Sequence, residues 1–329
     1  MSGSLKGEGC NNGGVVEVKG RFATFYPEPG ARALIGDFTD WKRRPIVLDG
    51  PVTLELLPAA YVEYAFLDEA GRPFADPRAP RAAENPWWPY ARAFTTPGWR
   101  FEAPPLAAVE KARIKRRRIF SEAFFAERRV IVYEPPAPPK AAIVVQDGVA
   151  FFRLGRMAEV AEALIQEGAI HPVRIIFLEP EDRDREYRMD PRYRDFVVRE
   201  VVPELAEGLV WGSFGASLGG LMALWLWQEG HAAFAMAHSP ALKALPGGQD
   251  AYTEPEWLTE RLKARPGRVY IEVGRLEWLL APVRRLAARL AELGVAHGYA
   301  ERPSGHNWVT WRQGIAPGLR YLVGKDLPL

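Results

Sequence analysis

The sequence of 329 residues contains a single cysteine and carries almost no net charge. One cysteine, Cys10, excludes an intramolecular disulfide. The formal net charge of +2 lacks the strong basic excess that is typical of nucleic-acid-binding proteins. We therefore expect a protein with no internal disulfide and no nucleic-acid partner.

Long apolar runs are also missing. No segment approaches the roughly 20 consecutive apolar residues that a membrane-spanning helix needs. Residues 1–14, rich in glycine and asparagine, lack the apolar core of a secretory signal, so we expect a flexible leader there. These absences predict a cytoplasmic protein with no membrane partner, and they leave a homo-oligomer open.

The composition is that of a globular protein that can bury a core. Hydrophobic residues make up 48% of the chain and charged residues 26%. The chain is long enough for two domains. Residues 15–96 alternate short apolar runs with turn residues and contain no credible helix of ten residues. This pattern predicts a small all-β, immunoglobulin-like sandwich domain over residues 15–105.

The pattern changes after a basic linker. The basic run 111–118 is interpreted as a solvated face or first crossing strand, with a contact to an anionic substrate as the alternative. Apolar strands then alternate with helices over residues 106–329, which predicts a mostly parallel sheet with helices on both faces; the serine motif and the resemblance given below imply that this is the α/β-hydrolase fold. Strands are predicted at 130–133, 141–146, 173–178, 209–213, 233–238, 269–273 and 296–301. Helices are predicted at 157–167, 193–205 (ended or kinked by Pro203), 218–228, 252–264, 282–293 and 314–323.

The segment Gly215–Gly219 carries the strongest functional signal. It reads Gly-Ala-Ser-Leu-Gly, matches the G-x-S-x-G pattern, and lies between a predicted strand and a predicted helix. Glycines on both sides permit the tight turn that lifts a serine hydroxyl above the sheet, over the positive end of the helix. We therefore predict Ser217 as a nucleophile and interpret Ser213, which lacks the pattern, as a strand-end serine.

A serine hydroxyl needs a base to take its proton, and five histidines compete for that role. In α/β-hydrolases the chain order is serine, then acid, then a histidine near the C terminus. His306 alone meets this order, in a loop between the last predicted strand and the last predicted helix. His238 ends a predicted strand, where a structural role competes with a role in lining the site.

The acid should lie on a loop between the nucleophile and the histidine. Glu277 follows the predicted strand 269–273 and is the first choice. Its alternative is a carboxylate at the start of a helix, where the helix dipole favours negative charge. Glu272, inside the strand, and Glu301, just before the histidine loop, are weaker candidates.

An oxyanion hole needs two N–H donors. The first is expected from the backbone of Leu218, directly after the nucleophile. The second is expected from Gly148 or Val149, in the loop after predicted strand 141–146, where Asp147 is interpreted as a turn-former. Such a Ser-His-Glu set works without a metal or cofactor, so we expect neither.

Together these residues resemble the enterochelin (ferric-siderophore) esterase branch of the esterase D family, over nearly the whole chain. The Arg-x-x-Glu-Tyr segment and the histidine segment are the most specific parts of the resemblance. The segments that carry it are Gln146–Gly148, 183–187 with Pro191 and Phe196, 215–220, Gly274–Glu277, and Gly305–Trp308 with Trp311 and Arg312.

The resemblance implies further site residues. It implies that Arg183 and Glu186 hold the oxyanion loop or the substrate, with an interior salt bridge as an equal alternative. It also implies substrate-binding positions at His238, Trp278 and Trp308. The first domain resembles the early-set, isoamylase-N-like domain that precedes these esterases, on the basis of Gly36–Trp41 and Asp76-Pro77.

The sequence thus predicts a serine carboxylesterase that hydrolyses a small-molecule ester, of siderophore or aryl type, through an acyl-enzyme. One segment departs from the family: His238–Ala241 replaces the usual Ser-Gly-Ser-aromatic stretch, which leaves the siderophore substrate open. The alternatives are a feruloyl or acetyl carbohydrate esterase with a glycan-binding sandwich domain, and a non-catalytic ligand-binding protein on the same fold.

Overall fold

The chain divides into two compact units in a computed structural model that describes residues 16–79 and 81–328. The first unit contains the residues up to Arg100 together with 303–305, and the second contains 101–302 and the residues from His306 onward. The sequence-based limits, 15–105 and 106–329, place the boundary slightly later, and they assign the segment 303–305 to the second domain. The predicted leader, 1–14, lies outside the described residues.

The first unit contains two antiparallel sheets. One has the strand order β1-β2-β5, and the other has the order β4-β3-β6, with β7 and β8 both pairing with β6. The central strand β6 is rich in aromatic and β-branched residues and is buried along its whole length. The strands are β1 (Val16–Lys19), β2 (Phe22–Phe25), β3 (Ala33–Gly36), β4 (Ile46–Val47), β5 (Val52–Glu55), β6 (Tyr61–Leu67), β7 (Pro73–Phe74) and β8 (Arg92–Thr95).

The second unit is built on one eight-stranded sheet, with the order β16-β15-β14-β13-β11-β12-β10-β9. Strands β11 to β16 are parallel, and β10 and β9 are antiparallel at one edge. The prediction of a mixed α/β fold with a mostly parallel sheet is therefore confirmed. The strands are β9 (Ile114–Ser121), β10 (Ala126–Tyr133), β11 (Ala141–Val145), β12 (Val173–Leu178), β13 (Val210–Ala216), β14 (Phe234–His238), β15 (Arg268–Gly274) and β16 (Ala296–Arg302).

Helices alternate with the parallel strands. A π-helical segment, Phe196–Val201, joins α4 to α5, and α5 ends soon after Pro203, as the sequence predicts. The helix predicted over 252–264 is shorter than expected, because Pro255 lacks an N–H and disfavours helical backbone before it. The helices are α1 (Gly148–Arg153), α2 (Met157–Gln166), α3 (Arg183–Glu186), α4 (Pro191–Asp195), α5 (Val202–Leu205), α6 (Leu218–Gln228), α7 (Trp257–Arg261), α8 (Leu280–Glu292) and α9 (Trp308–Val323).

A hydrophobic core lies on each face of the large sheet. Along β11, Ala142 and Val144 belong to one core and Ile143 and Val145 to the other, because successive strand side chains point to opposite faces. This double burial explains the continuous apolar runs of the parallel strands.

The basic run Lys115–Arg118 lies exposed on the edge strand β9, in agreement with a solvated face. Of the helices described, none combines the length and apolar character needed to cross a membrane.

The carboxyl ends of the parallel strands bring the chemically interesting residues to one edge. Parallel strands all end at the same edge, which is where open α/β sheets place their ligand sites. The residues that follow β11, β13, β14, β15 and β16 at this edge are Asp147, Ser217, Ser239, Glu277 and His306.

Candidate active site

Ser217 occupies a strained turn between β13 and α6. Its backbone has φ 57° and ψ −122°, which is rare for a residue with a side chain. The Ser217 N–H donates to the His238 carbonyl oxygen over 2.9 Å, and the Ser217 carbonyl oxygen accepts from the Ala241 N–H over 2.9 Å. The side chain is partly exposed although its neighbours are buried. The turn therefore presents one hydroxyl at the carboxyl edge of the sheet.

The glycines beside Ser217 are required by close packing. A Cβ atom at Gly215 would collide with the backbone of Gly219. The helix that follows, α6, is buried along its whole length, so its N terminus is fixed below the serine. This is the context that the G-x-S-x-G pattern predicts.

His306 and Glu277 are in direct contact. Their Nδ1 and Oε2 atoms lie 2.7 Å apart, and the Glu277 side chain is fully buried. Two aromatic rings enclose the imidazole: Trp278 at a centroid distance of 4.8 Å, and Trp311 at 5.1 Å with its plane nearly perpendicular. The imidazole is therefore held by one carboxylate and two rings. Trp278, predicted to bind substrate, lies beside the histidine and is only partly buried.

Ser239 joins the serine turn to the carboxylate, and sequence reasoning did not assign it. Its neighbour His238 accepts the Ser217 N–H, while its own hydroxyl donates to Glu277 Oε1 over 2.6 Å. Hence Ser217, Glu277 and His306 belong to one continuous network. The sequence feature that could have indicated Ser239 is its position directly after β14, the strand that pairs with β13. No hydrogen bond joins Ser217 Oγ to His306 within the described residues, and such bonds are often long without substrate.

The loop after β11 is held in place by the side chains of Arg183 and Tyr187. Arg183 Nε and Nη2 donate to Asp147 Oδ1 and Oδ2 over 2.7 and 2.8 Å, and the Asp147 N–H donates to the Tyr187 hydroxyl over 2.8 Å. Burial raises the pKa of Tyr187 far above its ordinary value, so its hydroxyl stays neutral. Asp147 has a left-handed φ of 53° and leads directly into Gly148. Arg183 therefore fixes Asp147, the residue directly before Gly148.

The two predicted donors of this loop differ in their surroundings. A Cβ atom at Gly148 would lie 2.5 Å from the backbone of Phe177 and Leu178, so only glycine fits there. The Val149 N–H donates to Glu179 Oε2 over 3.0 Å. Burial raises the pKa of Glu179 above its ordinary value. Since Val149 already has an acceptor, Gly148 is the remaining candidate donor from this loop.

Three residues that were predicted to bind substrate have side chains enclosed by protein. Glu186 forms a buried bidentate ion pair with Arg128, at 3.0 and 2.6 Å, which is the interior salt bridge left open above. His238 has no exposed surface. Trp308 is 1% exposed and packs on Phe151 at a centroid distance of 5.0 Å. The structure therefore leaves almost no surface of these three residues accessible to a ligand.

Two buried ionisable side chains, His238 and Glu272, lie on the strands that lead to the site. Burial, aided by the positive charge of Arg302, lowers the pKa of His238 to about 3, so this histidine is neutral. Burial raises the pKa of Glu272 to about 7, although Arg302 Nε donates to its Oε2 over 3.0 Å and opposes the shift. Glu272 pairs with Arg302, and neither His238 nor Glu272 has any exposed surface.

Solved structures share this fold. An enterochelin esterase from Shigella flexneri matches with a TM-score of 0.72 and 17% identity, covering 93% of this chain and 94% of that one. A ferric enterobactin esterase from Salmonella typhimurium matches with a TM-score of 0.71 and 16% identity, covering 91% and 93%. A ferulic acid esterase has a TM-score of 0.52 and 15% identity, covering 64% of this chain and 97% of that one. At these identities the likeness establishes the fold alone.

The sequence itself matches a protein family. A search of curated proteins finds no match to the chain. A family model described as "Putative esterase" matches residues 121–322, which is more than half of the chain and includes Ser217, Glu277 and His306. The chain therefore belongs to this esterase family and is a carboxylic ester hydrolase.

Proposed function

We propose that the chain is a serine carboxylesterase in which Ser217 is the nucleophile, His306 the general base and Glu277 the acid that orients it. The observation that carries the proposal is the 2.7 Å contact between His306 Nδ1 and Glu277 Oε2, at the sheet edge where Ser217 is presented. An ionised carboxylate can only accept, so Nδ1 holds the proton. Nε2 then keeps the lone pair that takes the proton of a serine hydroxyl.

The backbone N–H groups of Leu218 and Gly148 are the proposed oxyanion donors. Leu218 is the first residue of α6 and Gly148 the first residue of α1. Both N–H groups therefore stand at helix N termini, where no helical carbonyl competes for them and the dipole favours negative charge. The rigid pairing of Arg183 with Asp147 supports this role, because an oxyanion hole works best when its donors are fixed in advance.

The reaction follows from these groups. Ser217 Oγ bonds to the ester carbonyl carbon as His306 Nε2 takes its proton, and the two N–H donors bind the oxyanion. The tetrahedral intermediate collapses, the ester C–O bond breaks, and the imidazolium returns the proton to the leaving alcohol. Water, activated by the same imidazole, then releases the acid and restores Ser217. Each step uses protein groups alone, so the proposal includes no metal and no cofactor.

The proposed substrate is a small aryl or siderophore-type ester. The solved relatives named enterochelin and enterobactin esterase support the siderophore class. The partly exposed Trp278 beside His306 supports an aromatic group near the reacting carbon, because stacked or edge-on rings attract each other. The changed segment His238–Ala241 contains Ser239, which is turned toward Glu277 and is not free to hold a ligand.

A feruloyl or acetyl carbohydrate ester is the second candidate. The match to a ferulic acid esterase favours it and covers 64% of this chain. In that case the first unit would bind glycan. Trp87 is 48% exposed, whereas Trp41 is buried and packs on Trp88 at a centroid distance of 4.3 Å. Of these rings, Trp87 is the better candidate for a sugar contact.

The finer identity of the first unit is also a proposal. Its two antiparallel sheets support an immunoglobulin-like, early-set domain. We further propose a cytoplasmic location, supported by the single cysteine in the sequence. Self-association into a homo-oligomer stays open.

A fluorophosphonate probe tests the nucleophile. Ser217 Oγ should attack the phosphorus and displace fluoride, and peptide mapping should place the label on Ser217 alone. The Ser217→Ala variant should take no label. A label on Ser213 or Ser239 would overturn the assignment, and a folded protein that is never labelled would support the non-catalytic alternative. Hydrolysis of catecholate-siderophore, feruloyl-sugar and short-chain aryl esters, measured side by side, separates the substrate classes.

A further inference from the structure

Ser239 lies outside the proposed triad but contacts one of its members, Glu277. We propose that Ser239 is a positioning residue, whose hydroxyl fixes the carboxylate of Glu277 and through it the imidazole of His306. This role rests on the proposed function, because it has meaning only if Glu277 orients a catalytic histidine. It goes beyond that function by adding a fourth side chain that does not touch the substrate.

The backbone around Ser239 places the residue between nucleophile and acid. Its φ is +45°, a left-handed conformation, and its N–H donates to the Glu272 carbonyl oxygen over 2.6 Å. His238, directly before Ser239, and Ala241, two residues after it, both form hydrogen bonds with the backbone of Ser217. The Ser239 side chain therefore starts at the nucleophile turn and points toward Glu277, with no exposed surface. A strained, fully buried serine at this point is consistent with a functional constraint.

The direction of the hydrogen bonds at Ser239 is fixed by chemistry. An indole N–H can only donate, and Trp311 Nε1 lies 3.1 Å from Ser239 Oγ. The serine oxygen is therefore the acceptor in that bond. The one hydroxyl proton is then directed to Glu277 Oε1, at 2.6 Å. The order of donation runs from Trp311 to Ser239 and on to Glu277.

This arrangement divides the two carboxylate oxygens of Glu277 between two tasks. Oε1 accepts from the Ser239 hydroxyl and from the Gly274 N–H, at 2.6 and 2.7 Å. Oε2 accepts from His306. Because Oε1 is held from two directions, the carboxylate plane cannot rotate without breaking bonds to a charged group, which are the stronger hydrogen bonds. The imidazole is thereby fixed in direction.

Trp311 reinforces the same geometry from a second side. Its ring packs edge-on against the His306 ring at a centroid distance of 5.1 Å, while its N–H binds Ser239. One side chain thus limits the tilt of the imidazole and sets the orientation of the hydroxyl. Exchange of Trp311 for phenylalanine would keep a ring beside the histidine and remove the N–H donor together with part of the ring volume.

The test is a double-mutant cycle between Ser239 and Glu277, with hydrolysis of a short-chain aryl ester as the readout. Ser239→Ala should lower kcat about 10- to 100-fold, equivalent to about 1.4–2.7 kcal/mol, with KM within about threefold. In the Glu277→Gln background the same change should cost less than about twofold, because the carboxylate it serves is gone. Trp311→Phe should lower kcat by a smaller factor, about three- to tenfold.

Ser121→Ala is the matched control, since Ser121 is also a fully buried serine but lies on the edge strand β9. Its kcat should equal that of the wild type. Equal losses from Ser239→Ala in both backgrounds would overturn the positioning role, as would a fully active Ser239→Ala enzyme beside a slow Glu277→Gln enzyme. A fully active Glu277→Gln enzyme would instead reject the acid of the proposed function, and the role of Ser239 with it.

If Ser239→Ala does not fold, the cycle of Trp311→Phe with Glu277→Gln decides the question. A loss that disappears in the Glu277→Gln background supports the chain of donation. A loss of equal size in both backgrounds overturns it.

Discussion

His306 Nδ1 lies 2.7 Å from Glu277 Oε2, and the Glu277 side chain has no solvent-exposed surface. In the proposed mechanism, this contact selects the imidazole tautomer that leaves Nε2 free to act as a base. It also places a negative charge where the imidazolium forms in the transition state. Glu301, the weaker candidate acid, instead forms a bidentate ion pair with Arg284 at 2.7 and 2.9 Å.

The first prediction compares these two glutamates. Glu277→Gln should lower kcat by about 10²- to 10⁴-fold, with little change in KM or Tm, because an amide keeps the shape but cannot fix the tautomer or balance the charge. Glu301→Gln is the control and should leave kcat within about twofold. Steady-state kinetics on an aryl ester measure both. A slow Glu301→Gln enzyme beside a normal Glu277→Gln enzyme would reverse the assignment.

The second prediction concerns the bidentate hold of Arg183 on Asp147. Arg183→Lys should lower kcat about tenfold, because an ammonium cannot reproduce the two parallel bonds and the loop that carries Gly148 loosens. Arg185→Lys is the control, since Arg185 is 62% exposed and lies 3.8 Å from Asp190. Kinetics also separate the two roles considered for Arg183. A rise in KM with unchanged kcat would mean that it binds substrate and does not hold the loop.

The third prediction uses the tight contact at Gly148. Gly148→Ala should reduce kcat strongly and lower Tm, because its Cβ atom would press on the backbone of β12 at Phe177 and Leu178, which cannot move aside cheaply. Gly50→Ala is the control, since nothing lies within 4 Å of a Cβ atom there. A Gly148→Ala enzyme with normal kcat would exclude this loop as a fixed source of the oxyanion donor.

Local patterns account for what the sequence predicts correctly. The apolar runs of the parallel strands, and the helical segments between them, are visible among neighbours in the chain. The mixed α/β fold follows from them. Strands as short as β4 and β7 give no signal in the sequence, because each has only two residues, too few for a period to appear.

Contacts between distant residues account for what the sequence misses. Arg128 and Glu186 lie 58 positions apart, so nothing local indicates that they pair and close Glu186 to a ligand. Ser239 and Trp311 lie 72 positions apart, and only folding shows that the serine is turned toward Glu277. The pairing of Val149 with Glu179 likewise depends on how two loops meet. The motifs of the proposed site can therefore be recognised from neighbouring residues, whereas the contacts that hold the site in place join residues far apart in the chain.

The last prediction concerns the pH dependence of stability at His238. Burial lowers the pKa of this histidine from 6.5 to about 3, so between these values the unfolded chain binds a proton that the folded chain does not. The contribution of His238 to the free energy of unfolding should therefore not vary with pH above about 6.5. Below that value the contribution should decrease as the pH decreases. The slope is about 1.4 kcal/mol per pH unit. Glu272 acts in the opposite sense, because burial raises its pKa to about 7, so its contribution falls as the pH rises from about 4.5 to 7.

These opposing contributions mean that the wild-type curve alone does not isolate His238, but a comparison with His238→Phe does. Phenylalanine suits the site, since the His238 ring lies between Phe214 and Tyr270 at centroid distances of 4.9 and 6.3 Å. Urea unfolding of both proteins at pH 8, 7, 6 and 5 measures the difference. The two free energies of unfolding should differ by a constant amount at pH 8 and 7. Below about pH 6.5 the variant should gain on the wild type by about 1.4 kcal/mol per unit. Parallel curves down to pH 5 would show that His238 takes up a proton in the folded state as readily as in the unfolded one.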